Sequence, residues 1–204
     1  MRHGHLHWYT PAELTPRQRA IYDGVRTKYG SNPPFPLTDA EGRLHGPFNA
    51  MLAAPGVGAA LQHLSAAVAA ETSLPARLRE LVILAVATQR DSEFEWFVHR
   101  RVALRAGVEP TEIDTLAQGG IPASADAGEQ ATLEVVRCLL SRSDIAEEHR
   151  TTLQDRFGEA ALVEVTTLVG YYELLATLLR ALAVPMPEPP EEATSATQPP
   201  EGTG

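Results

Sequence analysis

Four residues with the spacing Glu80-x11-Ser92-x2-Glu95-x3-His99 hold the side chains of this sequence best suited to proton chemistry. Glu95 and His99 are four apart, so on a helix they share one face. Glu80 precedes them in a separate apolar-periodic segment whose antiparallel return would bring its carboxylate to that face. Two carboxylates and an imidazole meeting in an apolar setting shift one another's proton affinities toward neutrality, which is what general acid–base chemistry requires.

Each of these residues also has a purely structural use. Ser92-Glu-Phe-Glu95 fits the capping-box pattern, in which the serine caps the helix and the glutamate reaches back to the cap's N–H. Glu80 could pair with Arg77 or Arg79, or with Arg100 or Arg101 on the next helix. His99 could be a hydrogen-bonded core histidine. Around them, Trp96, Phe48 and Tyr171 are candidate walls of a substrate pocket, and Arg77 and Arg43 are candidate forks for a carboxylate substrate. Cys138, the only cysteine, lies in the apolar run Thr132 to Leu140 and is expected to be a small buried hydrophobe. His3, His5 and His7 alternate near the start with no further ligand at metal spacing, so a solvated lead-in is expected and no metal site.

The elements that must position these groups are helical. Leu78, Leu81, Val82, Leu84 and Ala85 carry a helical period to about Gln89, and a second helix starts near Ser92 and closes at Gly107. Upstream, Thr15 as N-cap and Pro16 at the first position predict a helix to Tyr29. A proline-rich irregular loop follows to about residue 48, and loops of that length are often functional. A short helix at Asn49 to Leu52, a turn at Pro55-Gly56 and an alanine-rich helix from Gly58 to Ala70 lead into the core pair. Helices are expected at Thr111 to Gln118, Asp126 to Ser141, Ala146 to Phe157 and Glu159 to Val184, the last apolar enough to be central or an interface.

Composition narrows the function classes. The chain has 204 residues and suits one domain with a sizeable core. A net charge of −9 with a single lysine, Lys28, argues against nucleic-acid binding. No segment reads as a membrane span or a secretory leader, and a cytoplasmic location is expected. Residues 1–10 are expected to be a flexible lead-in, 11–187 the domain, and 188–204 a disordered tail rich in Pro, Glu and Thr that cannot offset its ordering entropy.

The segment Leu74-Pro-Ala-Arg-Leu-Arg-Glu-Leu-Val-Ile-Leu-Ala-Val-Ala-Thr, with Glu93-Phe-Glu-Trp-Phe-Val-His99 and Ala103-Leu-Arg-Ala-Gly107-Val, resembles the carboxymuconolactone decarboxylase family. Gly46-Pro-Phe-Asn-Ala-Met-Leu52 with Pro55, Phe157-Gly-Glu159 and Gly170-Tyr-Tyr172 extend the resemblance over roughly residues 10 to 187. It implies an all-α, alkyl hydroperoxidase D-like single-domain fold, assembled as trimers or hexamers. It implies cofactor-free decarboxylation or proton-transfer isomerisation of a small cyclic acid or lactone, with His99 moving the proton, Glu80 tuning it and Glu95 stabilising charge or positioning water. The redox branch carries Cys-x2-Cys where Ser92 and Glu95 stand here, so its dithiol peroxidase chemistry is disfavoured. A non-catalytic oligomeric binder of small ligands is the other alternative.

Overall fold

A computed structural model describes residues 1–187, and the tail expected to be disordered lies outside them. Among the described residues the architecture is all-α apart from one two-residue-by-two-residue hairpin. Its helices are α1 (Pro16–Tyr29), α2 (Pro47–Ala53), α3 (Pro55–Ala70), α4 (Ala76–Gln89), α5 (Glu93–Arg105), α6 (Pro110–Ala117), α7 (Ala127–Ser141), α8 (Glu147–Phe157) and α9 (Ala161–Ala181).

The local signals explain most boundaries. Thr15 accepts from the Gln18 N–H and Gln18 returns the bond to the Thr15 N–H, while Pro16 opens α1. Asp126 and Glu129 make the same reciprocal cap on α7. Pro55, expected in a turn, instead opens α3, because the first helical position has no intrahelical use for the missing N–H. Asp91 adopts φ 49°, a left-handed conformation that short polar side chains tolerate, and there α4 reverses into α5.

Helix α4 is the hub. It packs on α5, α9, α7 and α6, and Leu78, Leu81, Val82, Leu84 and Val86 are fully enclosed. That burial all round its circumference is why its apolar pattern is nearly continuous. Helix α9 has the length and hydropathy, 1.4 over its best window, to cross a membrane, contrary to the sequence expectation that no segment does. Its apolar face packs on α4, α7, α8 and α3.

The first ten residues are not a loose lead-in. β1 (Arg2–His3) pairs antiparallel with β2 (Leu6–His7), and the His5 N–H donates to the Leu182 carbonyl after α9. Asn49, wholly buried on α2, donates to the His7 carbonyl and accepts from the Tyr9 N–H. His3 is only 1% exposed and stacks on Trp8 at 4.8 Å between ring centroids, beside His45. Burial, with His45 adding repulsion, lowers the His3 imidazole to about 4.

Candidate acid–base site

The α4–α5 hairpin brings together the two halves of the pattern. Across it, His99 Nδ1 lies 2.8 Å from Glu80 Oε2. A carboxylate only accepts, so Nδ1 carries the proton and Nε2 is left as the basic atom of the ring. The Tyr172 ring of α9 stands edge-on to the His99 imidazole, 5.0 Å between centroids at 90°, and fixes the plane in which it can act.

Glu95 lies one turn before His99 on the same helix and is 3% exposed. Neither carboxylate oxygen has a hydrogen-bond partner. Desolvation therefore raises its proton affinity to about 8, with the Ser92 hydroxyl pulling weakly the other way without forming a hydrogen bond of good geometry. At neutral pH Glu95 is mostly a neutral carboxylic acid able to donate. The capping box suggested by the sequence does not form. The Ser92 N–H that Glu95 would accept is already given to the Ala87 carbonyl, 2.9 Å away, by the tight reversal after α4.

His99 and Glu95 line one small cavity with Tyr29, Phe35, Phe48, Ser65, Phe94, Tyr171 and Tyr172. Burial pushes the phenols of Tyr29, Tyr171 and Tyr172 up, so all three stay protonated, and the negative charge of Glu80 adds to the effect at Tyr29 and Tyr172. The cavity has about 40 Å³ of accessible space. At roughly 10–15 Å³ per water that is room for a few waters. A larger hollow of 180 Å³ between α4, α6 and α7 is lined by Ala85, Leu116, Leu133 and Val136 and brings no carboxylate to a histidine.

The structure thus gathers Glu80, Glu95, His99, Phe48 and Tyr171, and leaves out three residues that the sequence nominated. Arg77 points away from the cavity into an ion-pair network: its fork meets Glu112 at 2.7 and 2.8 Å, and its Nε meets Glu129 at 2.8 Å. Arg43 is held by Asp39 and Glu41 and lies over the Trp8 ring. Trp96 packs on the outside of the core without lining the cavity. Cys138, expected to be buried, is partly exposed on α7 and also lies outside the cavity lining.

Tyr29, Phe35, Ser65, Phe94 and Tyr172 join the lining without having been singled out. Gly170-Tyr-Tyr172 was the readable signal for Tyr172, since two phenols on an apolar helix need polar company. Among the described residues, no three His, Cys, Asp or Glu side chains converge to hold a metal ion.

Residues 55–137, which span α3 to α7 and hold Glu80, Glu95 and His99, match the model of the carboxymuconolactone decarboxylase family. Among curated proteins no match is found. Solved structures share the fold. An alkylhydroperoxidase AhpD core, an uncharacterized peroxidase-related protein from Ralstonia eutropha JMP134, superposes with a TM-score of 0.72 at 14% identity, covering 92% of this chain and 94% of that one. The debrominase Bmp8, as a cysteine-to-alanine variant in complex with 2,3,4-tribromopyrrole, gives 0.68 at 14% identity, with 89% and 90% covered. Its apo form gives 0.67 at 14% identity, with 89% and 91% covered.

Proposed function

We propose, from the match of residues 55–137 to the carboxymuconolactone decarboxylase family model and the fold shared with an AhpD core, that this chain is an acid–base enzyme that decarboxylates or isomerises a small cyclic acid or lactone, using no resident cofactor. The observation that carries this reading is Glu95, buried and unpaired beside the His99–Glu80 couple. A charged carboxylate there would repel an anionic substrate. A neutral one donates a hydrogen bond or a proton to it.

In decarboxylation the C–C bond to the carboxylate breaks, CO2 leaves, and the electron pair passes into the conjugated carbonyl or lactone. Glu95 as the acid would then protonate the ring carbon, or the developing oxyanion. In isomerisation Nε2 of His99 would take a proton from carbon, with Glu80 stabilising the imidazolium that results. The three tyrosines would donate to developing negative charge but stay protonated themselves.

The test is a screen of small cyclic acids and lactones in D2O, reading CO2 release and deuterium incorporation. On an accepted substrate, His99→Gln and Glu95→Gln should each lose about 10²- to 10⁴-fold in kcat. The wild-type rate should fall as pH rises through about 8, where Glu95 gives up its proton. Turnover insensitive to both substitutions would overturn the assignment, and binding without turnover would favour the non-catalytic ligand-binding alternative.

A thiol peroxidase reading finds little support, since the single cysteine, Cys138, stands outside the cavity. We also propose a homo-oligomer, a trimer or hexamer. Val57 on α3 and Val163 and Leu174 on α9 are exposed apolar side chains that an assembly would cover, and light scattering on the full chain gives the mass directly.

A further inference from the structure

The cavity and its surroundings differ in size in a way that bears on how a substrate enters. A cavity of roughly 150 Å³ is enough to take up benzene, whereas the space beside Glu95 and His99 is about 40 Å³. A ring-sized acid reaches Glu95 only if a wall moves. One wall has room behind it. Phe35, 5% exposed, lines the cavity on one side and on the other a surface pocket of 310 Å³ formed with Pro33, Pro34, Pro36, Phe97 and Arg101. It is the single residue common to the two linings.

Both the gate and the pocket have the construction this requires. Pro34 and Pro36 flank Phe35, so φ is fixed on either side and the residue before Pro36 is held extended. The cheapest motion is therefore rotation of the Phe35 side chain, not displacement of the loop. Its ring meets Phe94 edge-on at 5.5 Å and Phe48 face-on at 6.2 Å, contacts it can exchange for a planar ligand of the same kind. Gly46, at φ 64°, holds the returning loop against Phe94, where a Cβ would fall 2.2 Å from the ring. Pocket and cavity thus share a wall that can turn while its frame stays in place.

The pocket also has a charge that selects its guest. The Arg101 guanidinium lies 3.9 Å over the Phe97 ring, and its Nη1 donates to the Phe97 carbonyl. Among the described residues no carboxylate is paired with it. The remaining N–H groups of the fork are free for a planar anion. Arg77 and Arg43, the arginines expected to serve, are already taken by acidic partners.

We propose that the Pro33–Phe35–Phe97–Arg101 pocket is the entry site for a small planar carboxylate, gripped by Arg101, and that Phe35 is the gate between it and the acid–base cavity. This rests on the function proposed above and names its substrate class: a ring acid whose carboxylate is recognised at Arg101 before the ring passes Phe35.

Benzoate and its neutral isostere benzyl alcohol, titrated into the full-length chain and followed by NMR, test it. Benzoate should saturate with shifts at Phe97, the Arg101 Nε–H and the His99 ring, and benzyl alcohol should bind about tenfold more weakly or worse. Arg101→Gln, an exposed substitution, should bring benzoate to the level of benzyl alcohol. Phe35→Leu, which trims the wall shared by pocket and cavity, should speed the response of the His99 ring to benzoate. Benzoate affinity indifferent to Arg101→Gln, or no saturation by benzoate, overturns the entry site. Saturation at Arg101 with a His99 ring that never responds, even in Phe35→Leu, overturns the gate. Either failure is separable from failure of the acid–base reading, which is judged on Glu95 protonation and the His99 tautomer with no ligand present.

Discussion

Two clusters in this fold have the same ingredients, one basic side chain and two glutamates, and opposite characters. At one end of α4, Arg77 meets Glu112 through its fork, Glu129 through Nε and the Gly107 carbonyl through Nη1. Glu112 in addition accepts from Ser124 and from the Glu109 N–H. Arg77 and these donors hold Glu112 down at about 2, and the two carboxylates raise Arg77 in turn. Further along the same helix, Glu80 accepts a hydrogen bond from the His99 Nδ1–H, and on α5 Glu95 has no hydrogen-bond partner. Saturated bonding drives proton affinities away from neutrality and fixes structure. Unused bonding capacity in a dry place drives them toward it, and that is where proton transfer can occur.

The largest effect expected from breaking this contrast is on the saturated side. Arg77→Met leaves Glu112, 3% exposed, and Glu129 without their cation. Removal of one partner from such a network costs about 3–5 kcal/mol, measurable by urea unfolding at pH 7. The pH dependence has a definite sign. Glu112 is depressed in the folded state, so its stabilisation is complete above its ordinary value of 4.5 and is lost as pH falls toward about 2. Acid unfolding should begin at higher pH in the variant than in the wild type. A loss under about 1 kcal/mol, the range of exposed pairs, would show that the cluster is only a surface ornament of α4.

Next in size is Glu95→Gln. Glu95 is raised in the folded state from 4.5 to about 8. The unfolded chain therefore releases this proton first, and stability falls as pH rises from about 4.5 to 8. At pH 7 the penalty is roughly 3 kcal/mol, two and a half units at 1.36 each. Gln cannot ionise, so unfolding free energies of wild type and variant should diverge with rising pH, the variant gaining. The neutral His3 of the hairpin contributes the opposite slope, losing stability as pH falls from 6.5 through about 4. It is common to both proteins and cancels in the difference. Parallel stability curves from pH 5 to 8 would mean that Glu95 is hydrated and ionised, and the site would lose its acid.

What the sequence showed and hid follows the range of the interactions involved. Helix α1 was legible to the residue because Thr15, Pro16 and Gln18 determine its start within four positions. The α4–α5 pair was legible because apolar periodicity and the four-residue step from Glu95 to His99 are local. Arg77 was misassigned because its partners Glu112 and Glu129 stand 35 and 52 residues away, and no nearby pattern announces them. The N-terminal hairpin was missed for the same reason: Asn49, 42 residues on, accounts for its order more than any strand propensity in it. The Glu95 capping box is the converse case. A correct local pattern fails because the chain reversal takes the Ser92 N–H first.

The smallest effect, and the sharpest for the site, is expected from Glu80→Gln. One hydrogen bond to a partly buried imidazole is worth on the order of 1 kcal/mol, so the fold should hold with only a modest loss of stability. The tautomer should change much more. With Glu80 accepting, Nδ1 bears the proton. An amide at position 80 can accept through its oxygen or donate through its nitrogen, and the two tautomers become comparable. Nitrogen-15 shifts of the His99 ring should therefore move from an Nδ1–H pattern to the average of two forms, while rings outside the cavity, such as His149 on α8, keep theirs. If His99 shows the same mixed tautomer in wild type, Glu80 does not orient it. The cluster on the Glu80 side would then have the composition of an acid–base site without its preorganisation, and its difference from the Arg77 side would reduce to Glu95 alone.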